Sequence, residues 1–221
     1  MKPTAEQIVG CVLAGGQSRR MGGQEKALLS LGGQPMLARV VERLRPQVGH
    51  LILNANGDPN RFASFGLPVV ADNITGFAGP LAGVEAGMRW ALQNAKGATH
   101  MVTAATDTPF FPENLLAAFA DAITGPDVIV MATSKGNRHP VFTLWPLHLH
   151  GDLFGWLQQT DTFKVMAWVQ RHNLSLLDFP PFERAGQTVD PFFNANTPEE
   201  FAVAENLIKA SEDENARRLQ H

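Results

Sequence analysis

The chain has 221 residues, a formal net charge of -3 and a hydrophobic share of 44%, which suits one large globular domain with no need of a disulfide or metal staple. Its single cysteine, Cys11, excludes an intrachain disulfide framework and any Cys-based zinc site. No apolar run reaches the roughly 18 residues of a membrane span, and the stretch from Ile8 is too short for a signal-peptide core, so a cytoplasmic location is expected.

Taken in chain order, Ile8 to Ala14 reads as a buried strand that ends at Gly15-Gly16. A helix follows from Pro35 to Leu44, with Pro at its first position and Leu37, Val40, Val41 and Leu44 on one face. Leu51 to Leu53 is a second strand and Leu67 to Ala71 a third, ending at Asp72-Asn73. A long helix is expected from Gly79 to Asn94, a fourth strand from His100 to Ala105, a helix from Pro112 to Ile123 and a fifth strand from Val128 to Ala132. Strand and helix thus alternate from residue 8 to about 133, the pattern of a three-layer α/β fold: a mostly parallel, Rossmann-like sheet with helices on both faces.

The last third is less regular. His139 to Trp145 reads as a strand, Gly151 to Gln159 and Phe163 to His172 as helices. Thr197-Pro198-Glu199-Glu200 supplies an N-cap, a first-position Pro and a capping-box Glu for a helix to about Ala210. Residues 211–221 are expected to form a flexible tail. One domain over 1–210 is the expected count, with a nucleotide-binding part over about 8–133 and an acceptor-side part over about 134–210.

Charge is divided unevenly. Residues 1–57 carry seven Lys/Arg against three acids, and the remainder eleven against eighteen. A basic N-terminal part on an acidic chain suits a small polyanion better than a nucleic acid, which would call for a broad basic face. Arg39, Arg43 and Arg45 read as a solvated helix face. Arg19, Arg20 and Lys26 do not, because they sit in the loop Gly15-Gly16-Gln17-Ser18-Arg19-Arg20-Met21-Gly22-Gly23-Gln24-Glu25-Lys26. Four glycines let successive N–H groups form an anion-binding nest, and three cations add fixed charge, so the natural guest is a phosphate chain rather than nothing more than a turn. The P-loop pattern fails, since no glycine directly precedes Lys26, and so does the dinucleotide fingerprint.

Each polar cluster, with Asp72 and Asp107 among them, lies at the C-terminal end of an expected strand, the edge where open α/β sheets bind ligands. Alone, Asp107 could be a turn residue before Thr108-Pro109, and Asp72 an Asx turn with Asn73. At matching strand ends beside a phosphate loop, the metal reading of Asp107 is preferred. His148 and His150 read as surface histidines, since a spacing of two splays them apart on a helix. Phe110-Phe111 and Phe192-Phe193 read as packing, with Phe193 also placed to line an acceptor pocket. Trp90, Trp145, Trp156 and Trp168 read as buried, and no Ser-His-Asp motif is recognisable.

The loop resembles the L-A-G-G-x-x-x-R-M-G-G-x-(D/E)-K signature of nucleotidyltransferases, and most closely the molybdenum cofactor guanylyltransferases. The resemblance continues in order through Asn54-Ala55-Asn56, Asp72, Gly79-Pro80-Leu81-Ala82-Gly83, Thr106-Asp107-Thr108-Pro109, His139-Pro140 and Asn194-Ala195-Asn196-Thr197-Pro198-Glu199-Glu200. Glu25 stands where Asp is commoner, and Gln17-Ser18 replace a stretch in which the sugar-nucleotide branch usually has another Gly. What the resemblance implies is Mg²⁺-dependent transfer of GMP from GTP to molybdenum-bearing molybdopterin, with pyrophosphate leaving. Leu13, Ala14, Gly15 and Gly16 would line the nucleotide, with Arg19, Arg20 and Lys26 on its phosphates. Asn54 and Asp72 would hold the nucleoside, the turn from Pro80 and Leu81 to Gly83 would lie against the base, and Asp107 would carry the metal. Asn194 and Asn196 would face the acceptor. Asp107, Lys26 and Arg20 would be the catalytic set, and transient contact with proteins that supply or receive the cofactor is implied. Transfer of CMP, a sugar phosphate as acceptor, or a non-catalytic nucleotide or cofactor carrier are the rival readings.

Overall fold

The computed structural model describes residues 2–14, 26–74, 79–184 and 186–218, with side chains to residue 210. Gly15, Gly16, Arg19 and Arg20 lie outside the described residues. The elements in chain order are β1 (Ile8–Leu13), β2 (Ser30–Leu31), β3 (Gln34–Pro35), α1 (Met36–Leu44), β4 (His50–Asn54), β5 (Val69–Val70), α2 (Gly79–Asn94), β6 (His100–Ala105) and α3 (Leu115–Asp121). They continue with β7 (Val128–Ser134), β8 (Asn137–Pro146), α4 (His150–Leu157), α5 (Val165–Val169), β9 (Asn173–Asp178), β10 (Phe182–Arg184), β11 (Gln187–Val189) and α6 (Pro198–Arg218).

Seven strands form one sheet in the order β5-β4-β1-β6-β8-β7-β9. All neighbouring pairs are parallel except those of β8, which runs antiparallel to both β6 and β7. The reversal is made by a two-residue turn, Lys135-Gly136, with both residues at positive φ, the backbone that a tight hairpin requires. The sheet is therefore mostly parallel, as the alternating pattern predicts, with one inserted antiparallel strand that the pattern does not reveal.

β1 is an interior strand, buried along its whole length. Its alternate residues separate the two apolar layers. Ile8 and Val12 join Leu37, Val40 and Leu44 of α1 and Leu115, Leu116 and Phe119 of α3. Val9, Cys11 and Leu13 join α2, with Leu153 and Leu157 of α4 and Val165, Trp168 and Val169 of α5. This is the three-layer arrangement, one apolar face of the sheet on each helical layer. Residues 81–88 of α2 are all buried, because α2 lies under α4 as well as against the sheet. A third cluster gathers β11, α6 and the β2–β3 hairpin around Phe110.

Several expected boundaries move. Pro35 is the N-cap of α1 and pairs in β3, rather than opening the helix. The third strand contracts to Val69–Val70, and the helices expected over 112–123 and 163–172 contract to α3 and α5. α6 runs to Arg218, past the end expected near Ala210. Arg39 and Arg43 are not a solvated face: Arg39 donates to the carbonyls of Leu31 and Gly32 at 2.6 and 2.7 Å, and Arg43 to that of Phe111 at 3.1 Å. Trp145 and Trp168 are buried, whereas Trp90 and Trp156 are only half-buried. Among the described residues no helix is long and apolar enough to cross a membrane.

Candidate functional site

Parallel strands carry their ends to a common edge, and the register shows which residues meet there. Val70 of β5 pairs Asn54 of β4, Asn54 pairs Leu13 of β1, and Leu13 pairs Ala105 of β6. One row thus crosses four strands, and the next residues in each chain form the rim: Asp72, Ala55-Asn56, Ala14 and Asp107. Three strand spacings of about 4.8 Å set Asp72 and Asp107 roughly 14 Å apart along that rim. A metal ion holds its oxygen ligands at about 2.1 Å, so these carboxylates do not share one. The register makes them opposite ends of one rim.

At the β4–β5 end, Asp72 is held by two amides. Asn54 Nδ2 donates to Asp72 Oδ1 at 2.8 Å and to the carbonyl of Val70 at 3.0 Å. Asn56 Nδ2 donates to Asp72 Oδ2 at 2.8 Å, and the Asp72 N–H returns a bond to Asn56 Oδ1 at 2.9 Å. These bonds replace the Asx turn with Asn73 that sequence alone leaves open. Asn54 is buried, and α2 lies against it at Gly83, where a Cβ would overlap Asn54 Oδ1 and stand 3.0 Å from Leu13 Cδ2. At the start of α2, Pro80 is exposed while Leu81 is fully buried in the core. Ala14 donates its N–H to the carbonyl of Asn54 at 2.9 Å, tying the entry of the glycine loop to β4. Cys11, beneath this end, has its thiol pushed up to about 12 by burial, with the nearby Asp72 charge acting in the same direction.

At the β6 end the fold gathers residues from three distant segments. Lys26 Nζ donates to Asp107 Oδ2 at 2.9 Å and also to Asn196 Oδ1. The Thr108 hydroxyl donates to Asn194 Oδ1 at 2.5 Å and lies 3.2 Å from Asp107 Oδ1. Ala195 donates its N–H to the carbonyl of Asp107 at 2.9 Å. Thus Lys26, Asp107, Asn194 and Asn196 come together. Asn196 and Thr197 in turn donate their N–H groups to Glu200 Oε2, and the Glu200 N–H donates to Thr197 Oγ1, so the expected capping box is present.

Among the described residues no group of three or more His, Cys, Asp or Glu is placed to hold a metal ion. What the β6 end offers is one carboxylate, Asp107, ringed by a lysine, a hydroxyl and two amide oxygens. Magnesium ordinarily keeps several waters and binds through one or two carboxylates together with substrate phosphates. The donor set therefore fits an ion that arrives with a polyphosphate, and does not fit a zinc-type cage.

Thr108 and Asn56 were missed as site residues. Thr108 and Asn56 have a signal in hindsight, since each is polar and lies within two residues of a residue already singled out at a strand end. His150 is no surface histidine: its Nε2 lies 3.0 Å from Oε1 of the fully buried Glu85. His148 does lie at the surface, 2.8 Å from Asp127.

A mostly parallel sheet between two helical layers, with an acid at each end of the rim its strand ends form, is the α/β architecture that binds ligands at that edge. The chain belongs to the MobA-like NTP transferase domain family, whose model matches residues 10–174. It is 47% identical over 202 residues to the molybdenum cofactor guanylyltransferase of Rhizobium meliloti (strain 1021), covering 91% of this chain and 92% of that one. Among solved structures, the molybdopterin-guanine dinucleotide biosynthesis protein A of Archaeoglobus fulgidus has a TM-score of 0.68 at 21% identity, over 91% of this chain and 98% of that one. A Mycobacterium tuberculosis protein solved in complex with manganese has a TM-score of 0.62 at 20% identity, over 90% and 98%. These two establish a shared fold.

Proposed function

We propose that this chain transfers GMP from GTP to the terminal phosphate of molybdenum-bearing molybdopterin, releasing pyrophosphate and forming the guanine dinucleotide cofactor. The observation that carries the reading is the junction at β6. There Lys26 touches both Asp107, on the nucleotide side, and Asn196, on the segment assigned to the acceptor.

Nucleotidyl transfer is attack by one phosphate oxygen on the α-phosphorus of a triphosphate, with the β-phosphate oxygen leaving. Both reactants are anions, so the protein's task is to align them and offset their repulsion rather than to supply a nucleophile. Lys26 fixes a positive charge where the two substrates meet. Arg19 and Arg20 belong to the same loop and are assigned to the triphosphate and the departing pyrophosphate, with the Gly15-Gly16 backbone as its cradle. Leu13 and Ala14 line the nucleotide. Asn54 and Asp72 hold the nucleoside at the far end of the rim, with Pro80 and the backbone at Leu81 against the base. Asn194, held by Thr108, and Asn196, held by Lys26, face the acceptor. A divalent ion, assigned here as Mg²⁺, would bind through Asp107 and neutralise phosphate charge.

The same reading treats residues 1–210 as one working unit, because β11, α6 and Phe110 pack as one cluster beside Asp107. It places the protein in the cytoplasm and predicts transient docking with the proteins that supply molybdopterin and accept the product.

The test is turnover with purified protein, Mg²⁺ and molybdenum-loaded molybdopterin, with GTP, CTP and ATP supplied separately and pyrophosphate and dinucleotide followed together. Product from GTP alone is expected. Product from CTP would overturn the base assignment and keep the mechanism. Asp107→Ala should abolish turnover while the protein remains folded; a pure carrier would retain acceptor binding and lose nothing.

A further inference from the structure

The β7–β8 hairpin, beyond β6 on the same edge, carries a polar network that the function above does not use. Ser134, at the end of β7, is fully buried. Its hydroxyl donates to Asp190 Oδ1 at 2.7 Å and lies 2.7 Å from His139 Nε2. A hydroxyl has one proton. With that proton given to Asp190, Ser134 accepts at His139, so His139 carries its proton on Nε2. Burial holds the His139 imidazole below its ordinary pKa, which keeps the ring neutral, with one donor nitrogen. The ring also stacks on Phe192, centroids 4.4 Å apart and planes at 27°.

These three residue types serve acyl transfer only when the histidine stands between the acid and the serine. Here the serine stands between, and it is buried, so the arrangement contains no nucleophile. Its consequence lies in the chain that leaves Asp190. Asp190 Oδ1 also accepts from the Phe192 N–H at 2.9 Å, and its carbonyl accepts from the Phe193 N–H at 3.0 Å. Phe192 is buried against Phe142 and Phe179, with centroids 4.9 and 5.5 Å away. Two residues further on stands Asn194, and at Ala195 the strap is pinned to the carbonyl of Asp107. Residues 190–196 are thus fastened at one end to the β7–β8 hairpin and at the other to β6, with the acceptor-side asparagines near the second fastening.

We propose that Ser134, His139 and Asp190 are positioning residues for the acceptor: through the Asp190 turn and the Phe192 anchor they fix the strap that presents Asn194 and Asn196 to the molybdopterin phosphate. This rests on the assignment of those asparagines to the acceptor. None of the three touches substrate. They act by setting where the strap crosses the rim, so their loss falls on acceptor handling and spares the nucleotide end, where Asn54 and Asp72 lie on other strands.

The experiment measures KM for molybdenum-loaded molybdopterin and for GTP separately, in Ser134→Ala, Asp190→Ala and the conservative Asp190→Asn. Removing a hydrogen bond to a carboxylate should raise the acceptor KM about tenfold in the two alanine variants, with the GTP KM within about twofold of wild type. Asp190→Asn, whose amide oxygen still accepts from Ser134 and Phe192, should fall close to wild type. Should Asp190→Ala fail to fold, Ser134→Ala carries the comparison. An unchanged acceptor KM, or a GTP KM that rises in step with it, overturns the proposal, the second by showing general loosening. Asn194→Ala and Asn196→Ala, run beside them, separate the two claims. If these raise the acceptor KM and the network variants do not, the network proposal fails alone. If neither asparagine variant changes the acceptor KM, the acceptor assignment fails and the network proposal falls with it.

Discussion

Gly83 offers the sharpest test of how helix packing serves the site. It lies in the first turns of α2, and its missing side chain lets the helix sit directly on the Asn54 amide; a Cβ there would overlap Asn54 Oδ1 and stand 3.0 Å from Leu13 Cδ2. Gly83→Ala therefore pushes on two residues of the register row beneath the rim. Overpacking of this kind costs about 1–3 kcal/mol, and the better helix propensity of Ala offsets about 1 kcal/mol of it. A net loss of up to about 2 kcal/mol should lower Tm by up to roughly 8 °C in a chain of this length. The larger effect is on function. Displaced, Asn54 loses its bond to the Asp72 carboxylate, worth about 1.5–3 kcal/mol. Transmitted to the nucleoside, that loss raises the GTP KM by about tenfold or more. kcat at saturating GTP should change little, because Asp107, with Lys26 bound to it, lies two strands from Asn54. The assay is initial rate against GTP concentration at fixed acceptor, with thermal melts beside it. Gly87→Ala is the control, one turn along the same helix. Its Cβ would stand 2.7 Å from Met101 Sδ and 3.0 Å from Cys11 Sγ, in the core rather than at the rim, and a methionine can move aside. It should lower Tm and leave the GTP KM within about twofold. A wild-type GTP KM in Gly83→Ala, or an equal rise in Gly87→Ala, would refute the reasoning.

Acid should destabilise the fold through a residue remote from the site. His100 opens β6 at the edge opposite the rim, and burial, with the charge of His148 in second place, brings its pKa down to about 4. With a folded pKa below the unfolded value of about 6.5, the stabilisation is fully present above pH 6.5 and lost as pH falls through about 4, a loss of about 3 kcal/mol. Urea melts of wild type and His100→Gln across that window should differ in slope; parallel curves would sink the assignment. Asp152 is half-exposed but ties three groups: Trp168 Nε1 donates to it at 2.8 Å, His172 Nε2 lies at 3.1 Å and Arg171 at 3.4 Å. Burial raises its pKa, and the Trp168 bond with the His172 and Arg171 charges more than reverses that, leaving it below the ordinary carboxylate value. Asp152→Ala strands the indole N–H of a buried tryptophan and should cost about 1–3 kcal/mol, read as a lower Tm with the GTP KM unchanged, while Asp152→Asn, which keeps an acceptor, should lose less.

The parts of this fold that are legible in the sequence are those whose burial is asymmetric and whose ends are punctuated. α2 and β6 fall where their apolar runs begin and stop, at Gly79 and Asn94 and at His100 and Ala105. β9 gives no clear sequence signal because it is an edge strand with much of it in solvent; Leu176 is 45% exposed. The β2–β3 and β10–β11 hairpins are too short to show a period. The antiparallel course of β8 is set by one turn, Lys135-Gly136, and not by the strand's own composition. At the site, Asp107, Lys26, Asn194 and Asn196 are each visible through their motifs. Their meeting is not, because Lys26 is 81 residues from Asp107 and 170 from Asn196. No local pattern encodes a contact that only the crossover order of the sheet creates.

The two acids of the rim show why one edge can hold both ends of a nucleotide. Asp107 has a lysine on one oxygen and a hydroxyl near the other, so its charge is already balanced within the protein, and a phosphate approaching Lys26 meets no net repulsion there. Asp72 has both oxygens on neutral amides, from Asn54 and Asn56. Those bonds orient the carboxylate and leave its negative charge in place. A carboxylate so held accepts from N–H and O–H groups, which a guanine edge and a ribose offer, and it repels phosphate. Between the two acids the chain leaves β1 at Ala14, whose N–H is bonded to the carbonyl of Asn54. The proposed assignment then gives a triphosphate one direction along the rim, nucleoside over β4 and β5 and phosphates toward β6, where the strap from Asp190 brings Asn194 and Asn196.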